Sequence, residues 1–512
     1  MKMKKNQKKF YITTPIYYAN AKPHIGSAYT TVAADVLARF HRIQGEDVFF
    51  LTGTDEHGAK IIQAAKRENK NPKEFCDEIA AQFQMAWDCL NISYNNFIRT
   101  TDEKHIAAVQ KVLQILFEKN YIYKGEYKGL YCVGCEQFKT KSDLVNGKCP
   151  DHQKEPEFLT EECYFLKLSK FQKDLLKKIE SNEFKIEPKE RKNEILSFLK
   201  KEGLRDLAIS RKKVKWGVPL PFNKNHTAYV WVDAFLNYLT GLNWDGNLEN
   251  VPERWPADIH LMSKDILRVH ATIWPIILMA LNLPLPKKLF IHGFFTIGGK
   301  KMSKSLNNVI YPEEMIKKFG VDGTRYLLLS ICSFGGDGDI SWEKLIGKYN
   351  ADLANGIGNL VSRIINLAKI FNFSTRGGFA AGGQFPISNF QTIIKKTWDD
   401  YEENFEKIKL SEVLNIVWKF IGFCDKYIEK EKPWEIKDEK KKNEVISNLL
   451  ESLRQIAWMI LPFMPEIADK IFEQLGLNPA EEKKGKFEEM KKWKEILSGV
   501  KVVKGETLFP RI

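Results

Sequence analysis

Pro23-His24-Ile25-Gly26-Ser27 decides the fold, read with the apolar run Phe10 to Ile16 before it and the segment Ala28 to Phe40 after it. A short aromatic and β-branched run, a turn containing proline and glycine, and an apolar period near 3.6 spell strand, turn and helix N-terminus. Such a terminus presents backbone N–H groups that lack intrahelical partners, and with them the positive end of the helix dipole, which suits phosphate. The alternation continues outward from this unit. Val48 to Thr52 reads as a second strand, and Ala28 to Gln44 and Pro72 to Leu90 as helices. Alternating strands and helices imply an α/β, doubly wound parallel sheet of Rossmann type, with its ligand beyond the carboxyl ends of the strands.

The rhythm breaks between Tyr121 and Pro221, where metal-ligand knuckles, paired strands and a Lys/Glu-rich helix near Asn193 to Lys201 read as an insertion. It resumes at Tyr229 to Leu239 and Ile259 to Leu281, and Leu289 to Phe295 leads into Gly298-Gly299-Lys300-Lys301-Met302-Ser303-Lys304-Ser305. That loop carries ammonium groups and hydroxyls suited to a polyphosphate. Beyond Lys348 the strands stop, and Asn350 to Phe371, Phe390 to Glu431 and Asn443 to Leu475 show helical patterns expected to form a bundle. Gly377-Gly378 and Gly382-Gly383 mark a loose connection between the first two. The expected division is 1–116 and 226–290 for the two halves of the sheet domain, and 117–225 for a connective insertion. Residues 291–347 follow with the lysine loop, and 348–512 form the helical domain.

With 512 residues, 44% of them hydrophobic, the chain can bury several cores. No stretch reaches the roughly 20 apolar residues of a membrane span; Ala271 to Pro286 comes nearest and is interrupted by Pro275 and Pro284. Met1 to Lys9 is basic but has no apolar h-region behind it, so a secretory signal is not expected and a cytoplasmic location is. A net charge of +14 suits a polyanionic partner. The charge is not concentrated toward the C-terminus, where residues 346–512 hold 27 basic and 24 acidic side chains.

Eight cysteines are too few for a secreted disulfide framework. Cys132-x2-Cys135 followed by Cys149-x2-His152 has the spacing of a paired knuckle, which places four soft or borderline ligands around a tetrahedral ion. With all four positions filled by protein, the expected ion is one structural Zn²⁺; iron in a partly thiolate site is the alternative.

The first and last of these motifs, in this order and spacing, resemble the two signatures of class I aminoacyl-tRNA synthetases. Thr14-Pro15-Ile16-Tyr17-Tyr18-Ala19-Asn20, Thr52-Gly53-Thr54-Asp55-Glu56-His57-Gly58, Tyr229-Val230-Trp231-Val232-Asp233-Ala234 and Lys264-Asp265-Ile266-Leu267-Arg268-Val269-His270 narrow the resemblance to the methionyl-tRNA synthetase family, over nearly the whole chain. The resemblance implies activation of L-methionine by ATP with Mg²⁺, then transfer to initiator and elongator tRNA(Met). His24, Gly26, Ser27, Lys301, Ser303 and Lys304 would serve the phosphates and Asp265 the nucleotide. Arg211 matches a family position near the same phosphates. Ser27 stands where the family usually has a second histidine, and Ser263 where glycine is common.

Carried over position by position, the methionine pocket comprises Ile16, Tyr18, Trp231, Ala234, Phe235, Tyr238, Ile266, His270 and Trp274, with Asp55 on the substrate ammonium. Phe235 stands where some relatives have proline. His57 is a candidate for ordering the site. Asn359 and Arg363, at i and i+4 on one helix face, and Trp434 would read the anticodon. The chain's extent suggests a monomer without an appended C-terminal tRNA-binding module. The small insertion leaves any rejection of homocysteine to the synthetic site. Two other readings fare worse. Cysteinyl-tRNA synthetase needs an open metal position, and a non-catalytic tRNA-binding paralogue would tolerate loss of the lysine loop, which is complete here.

Overall fold

A computed structural model describes residues 7–134, 137–139, 143–150, 152–302, 308–371, 389–493 and 502–512. Cys135, Ser303, Lys304 and the glycine pairs at 377–378 and 382–383 lie outside the described residues, and for Lys301 only the backbone is described.

The central sheet is parallel. Strand Lys9–Thr13 lies between Asp47–Asp55 and Ile259–Ser263, and Lys288–His292 pairs with the latter. Asn96–Arg99 and the two-residue Tyr17–Tyr18 pair with Asp47–Asp55 on the other side. The chain thus winds outward in both directions from the gap between Lys9–Thr13 and Ile259–Ser263, and the loops leaving those two strands part there to form a crevice. The helix Ile25–Ile43 follows the first strand and is buried on nearly every side, between the sheet and the helices that pack on it.

The insertion is less separate than its sequence suggests. Strands Gln137–Lys139, Ile122–Cys132, Glu157–Leu166 and Leu207–Ala208 do form an antiparallel sheet of their own. Lys185–Glu187, however, pairs in parallel with Lys288–His292 and becomes an edge strand of the central sheet. Three residues with one apolar side chain, Ile186, give no periodicity to detect.

Downstream, Pro312–Ser330 is kinked at Gly320, whose φ of 71° is left-handed. The helical domain then runs through Asn359–Ile370, Asn389–Glu406, Leu410–Glu431, Glu439–Ile460 and Pro465–Gln474. Each long helical pattern read from the sequence is broken in the structure. Tyr349–Gly358 forms a π-helical stretch before Asn359, Ile408 adopts a φ of 53° between two helices, and the helix before Pro465 ends at Ile460, with Pro462 following. One apolar core is continuous from Phe10, Ile12 and Phe40 beneath the sheet to Phe405 and Phe463 in the bundle, and Phe40 stacks on Phe405 with centroids 3.9 Å apart.

Candidate active site

Beyond the carboxyl ends of Lys9–Thr13, Ile259–Ser263 and Lys288–His292 lies a cavity of about 630 Å³. Its size suits a small ligand bound together with a nucleotide. Pro15 and Ile16 enter from the first strand, Ser263 and Asp265 from the second, and His292 and Gly293 from the third.

At one end the wall is aromatic. Trp231, Ala234 and Phe235 come from the short helix Val230–Phe235, Tyr238 from the next turn, and Ile266 and His270 from the start of Leu267–Ala280. His270 Nδ1 lies 2.9 Å from the Ile266 carbonyl and carries the proton donated there, so Nε2 accepts from the Tyr238 hydroxyl at 2.8 Å. Burial pushes the His270 pKa down to about 4, which keeps this imidazole neutral at physiological pH. Asp55, at the end of Asp47–Asp55, faces the same space, as do Ile16 and Tyr18. The Tyr18 hydroxyl donates to the His57 carbonyl at 2.9 Å.

At the other end His24 caps the helix Ile25–Ile43. Its Nδ1 accepts the Gly26 N–H at 2.9 Å, which leaves Nε2 as the protonated, donating nitrogen. A Cβ on Gly26 would meet His24 Cε1 at 2.7 Å. The absent Cβ lets the His24 imidazole fold over the Gly26 backbone, and Gly26 itself lines the cavity. The Ser27 hydroxyl also turns inward. It donates to the His24 carbonyl at 2.7 Å and accepts the His24 N–H at 3.1 Å, completing a capping box. Ser27 lines the cavity with its hydroxyl engaged by the His24 backbone. Met302, next to Lys301 in the strand Lys300–Lys301 and the residues after it, reaches the cavity rim.

Among the described side chains, Arg211, Trp274 and His57 do not line this cavity. Arg211 is buried beside it, with Nη1 donating to the Ala208 and Ser210 carbonyls at 3.0 and 2.8 Å and its guanidinium over the Tyr229 ring at 4.6 Å. It shares a small second cavity with His57 and Trp216. Trp274 lies one layer behind the wall, stacked on Phe235 at 5.8 Å with its Nε1–H donated to His260 Nε2 at 3.3 Å. The Ser263 hydroxyl, expected near a ribose edge, donates to the Asp265 carboxylate.

The sequence reading missed Lys22, His292 and Tyr311, which line the cavity as well. His292 ends a strand of the central sheet, and that position was the available signal. It contacts Thr30 Oγ1 at 2.8 Å, and burial pushes its pKa down to about 4. Lys22 has its ammonium over the Tyr311 ring at 3.6 Å and paired with Glu313 at 2.6 Å.

Away from the cavity, Cys132, Cys149 and His152 converge, with Nδ1 of His152 3.9 Å from Cys132 Sγ and 3.7 Å from Cys149 Sγ. Bonds of about 2.3 Å to sulfur and 2.0 Å to nitrogen at a tetrahedral angle require about 3.6 Å between donors. The three side chains fit a shared ion.

The family model for class I tRNA synthetases (M) matches residues 10–157 and 143–365, and that for the anticodon-binding domain of tRNA ligases matches 389–508. The methionine--tRNA ligase of Clostridium tetani is 46% identical over 99% of this chain and 79% of its own length. The chain belongs to the methionyl-tRNA synthetase family. The Thermotoga maritima methionine--tRNA ligase is 44% identical over 98% of this chain and 80% of its own length. A structure of Mycobacterium tuberculosis methionyl-tRNA synthetase in complex with methionyl-adenylate superposes with a TM-score of 0.90 at 35% identity, covering 99% of this chain and all of that one. Like its relatives, the chain is an aminoacyl-tRNA ligase that activates methionine with ATP and charges tRNA(Met). Among the described residues no helix is long and apolar enough to cross a membrane.

Proposed function

We propose that the cavity carries out both half-reactions, with methionine at its aromatic end and ATP–Mg²⁺ at the His24 end. The convergence of an apolar aromatic wall, a carboxylate and a helix N-terminus in one cavity is the observation that carries this reading. Ile16, Tyr18, Trp231, Ala234, Phe235, Tyr238, Ile266 and His270 surround the thioether, with Trp274 bracing Phe235 from behind. Neutral His270 and the Tyr238 hydroxyl add a polar edge without a charge to desolvate. Asp55 holds the ammonium through a charge-assisted contact that no purely apolar guest can make.

In the first step a methionine carboxylate oxygen attacks the α-phosphorus, the bond to the bridging oxygen breaks, and pyrophosphate leaves. His24 Nε2–H and the positive end of the dipole of the helix Ile25–Ile43 stabilise charge on the phosphate oxygens; Lys301 and Lys304 neutralise the departing pyrophosphate, and the Ser303 hydroxyl donates to it. Asp265 holds the nucleotide. In the second step a terminal hydroxyl of tRNA attacks the adenylate carbonyl and AMP leaves. Arg211 acts in this scheme at the boundary with the insertion, from its place behind the cavity.

Residues 348–512 read the anticodon. Asn359 is exposed, Arg363 is held to Asp425 at 2.9 Å on the same helix face, and Trp434 stands 52% exposed, free to stack on a base. One Zn²⁺ is held by Cys132, Cys149 and His152 with Cys135 as fourth ligand, and it ties the insertion's turns together. The enzyme acts as a monomer in the cytoplasm on initiator and elongator tRNA(Met). The test is ATP–pyrophosphate exchange with each amino acid in turn. Exchange that depends on methionine, and falls about 10²–10³-fold in His24→Ala, is the expected result. Exchange that depends on cysteine instead, or is untouched by His24→Ala, overturns it.

A further inference from the structure

Behind the aromatic end, four buried polar side chains form a line that the scheme above does not use. Asp233 Oδ2 lies 2.7 Å from His57 Nδ1, and Asp233 Oδ1 lies 3.0 Å from His105 Nε2. His105 Nδ1 continues to Thr240 Oγ1 at 2.7 Å. Asp233 is 1% exposed, His57 5% and His105 0%, so this is an interior network rather than a solvated ion pair. Burial works against the Asp233 carboxylate, but His57 and His105 outweigh it and hold its pKa down at about 2. A carboxylate buried with two imidazole donors is a stiff joint, because either histidine, if displaced, leaves a charge without its partner.

The joint connects the two sides of the amino-acid site. Asp233 sits on the helix Val230–Phe235 between Trp231 and Ala234–Phe235, which face the cavity. His57 sits two residues after Asp55, and its carbonyl accepts the Tyr18 hydroxyl. The rest of this turn is fixed from other directions. Glu56 receives Arg99 at 2.7 Å, and Gly58 N–H donates to the Trp216 carbonyl at 3.0 Å.

We propose that Asp233 is a specificity-determining positioning residue, which through His57 sets the distance between the Asp55 carboxylate and the Trp231–Phe235 wall. That distance is the length available to an amino-acid side chain between its ammonium and the end of the pocket. Asp233 touches no substrate; it determines whether one methylene more or less is tolerated. The inference rests on the assignment of Asp55 to the substrate ammonium.

Asp233→Asn, His57→Ala, His57→Asn and Asp55→Asn are compared in ATP–pyrophosphate exchange with methionine, homocysteine (one methyl shorter) and ethionine (one methylene longer). Asp233→Asn and His57→Ala are expected to raise the methionine KM about tenfold or more and narrow the preference over both analogues, with the ATP KM within about twofold. His57→Asn places an amide nitrogen where Nδ1 stood, so it should recover most of the loss seen in His57→Ala. It also keeps the test open should Asp233→Asn not fold. Methionine and ATP KM rising together, or no recovery in His57→Asn, would reduce the network to a fold support and overturn the inference. If Asp55→Asn raises the methionine KM while Asp233→Asn and His57→Ala leave selectivity unchanged, the inference alone fails. An unchanged methionine KM in Asp55→Asn removes the assignment beneath it.

Discussion

Single residues in this enzyme are committed by their nearest hydrogen bonds, and Asp322 shows how such a commitment becomes a measurable property. Its side chain is 4% exposed, and Oδ2 accepts the Ile467 N–H at 2.7 Å in the first turn of Pro465–Gln474. Oδ1 is buried without a hydrogen-bond partner. Burial therefore pushes its pKa up to about 6, against the opposing pull of the Ile467 N–H and Arg325. The unfolded chain titrates this group near 3.9, so between about pH 4 and pH 6 the folded state binds the extra proton. Stability from this group is fully present below pH 4 and is lost as pH rises through 6, by up to ~3 kcal/mol. Asp322→Asn keeps an oxygen for Ile467 and cannot ionise. Its unfolding temperature relative to the unsubstituted protein should rise between pH 4.5 and pH 7.5, as followed by thermal circular dichroism. A difference that stays constant with pH would show that Asp322 does not titrate in this window.

At the scale of elements, the strand–turn–helix unit, the parallel sheet and the helical C-terminal half were legible because each carries several turns or residues of regular apolar period. What escaped lacked that period. Lys185–Glu187 is too short, and the helix breaks at Ile408 and Pro462 sit inside patterns that remain apolar across them. In the site, the residue types that converge were legible and their hydrogen bonds were not. The Ser27 hydroxyl and the Gly26 N–H join the His24 cap, and Arg211 Nη1 turns to the Ala208 and Ser210 carbonyls, because local geometry decides such partners after the fold has placed them. The metal turns show the opposite case, a local spacing whose three described donors do converge. Cys132 ends the strand Ile122–Cys132, while Cys149 and His152 lie on a short turn outside any helix or named strand, closed by local bonds such as Cys149 N–H to the Lys154 carbonyl at 2.9 Å. A strong zinc chelator should therefore release one equivalent of metal and open residues 131–155 to protease, with the helical circular dichroism unchanged. Failure to release any metal would show that the converging thiols serve packing alone.

For the molecule as a whole, the sheet and the bundle are joined by a shared interior. Arg325, 0% exposed, donates to Asp35 of the helix Ile25–Ile43 at 2.7 Å, to the Leu90 carbonyl at 3.0 Å, and to the Phe463 and Pro462 carbonyls of the bundle at 2.8 and 3.0 Å. Asp35 is held in its charged form despite burial by Arg325 and Arg39. A guanidinium so fully engaged fixes the two bodies in one orientation, so a tRNA bound at one end meets the cavity at a set distance. Trp434 lies outside that interior, in the turn after Leu410–Glu431. Its removal leaves no cavity in a core, so fold and methionine activation should survive. A lost base stack of about 1–3 kcal/mol corresponds to a fall of roughly 5–150-fold in tRNA aminoacylation. Trp434→Ala is accordingly expected to keep ATP–pyrophosphate exchange within about twofold while aminoacylation falls by about tenfold or more, mostly through the tRNA KM. Equal losses in both assays would place Trp434 among the packing residues and return the reading of the anticodon to other side chains.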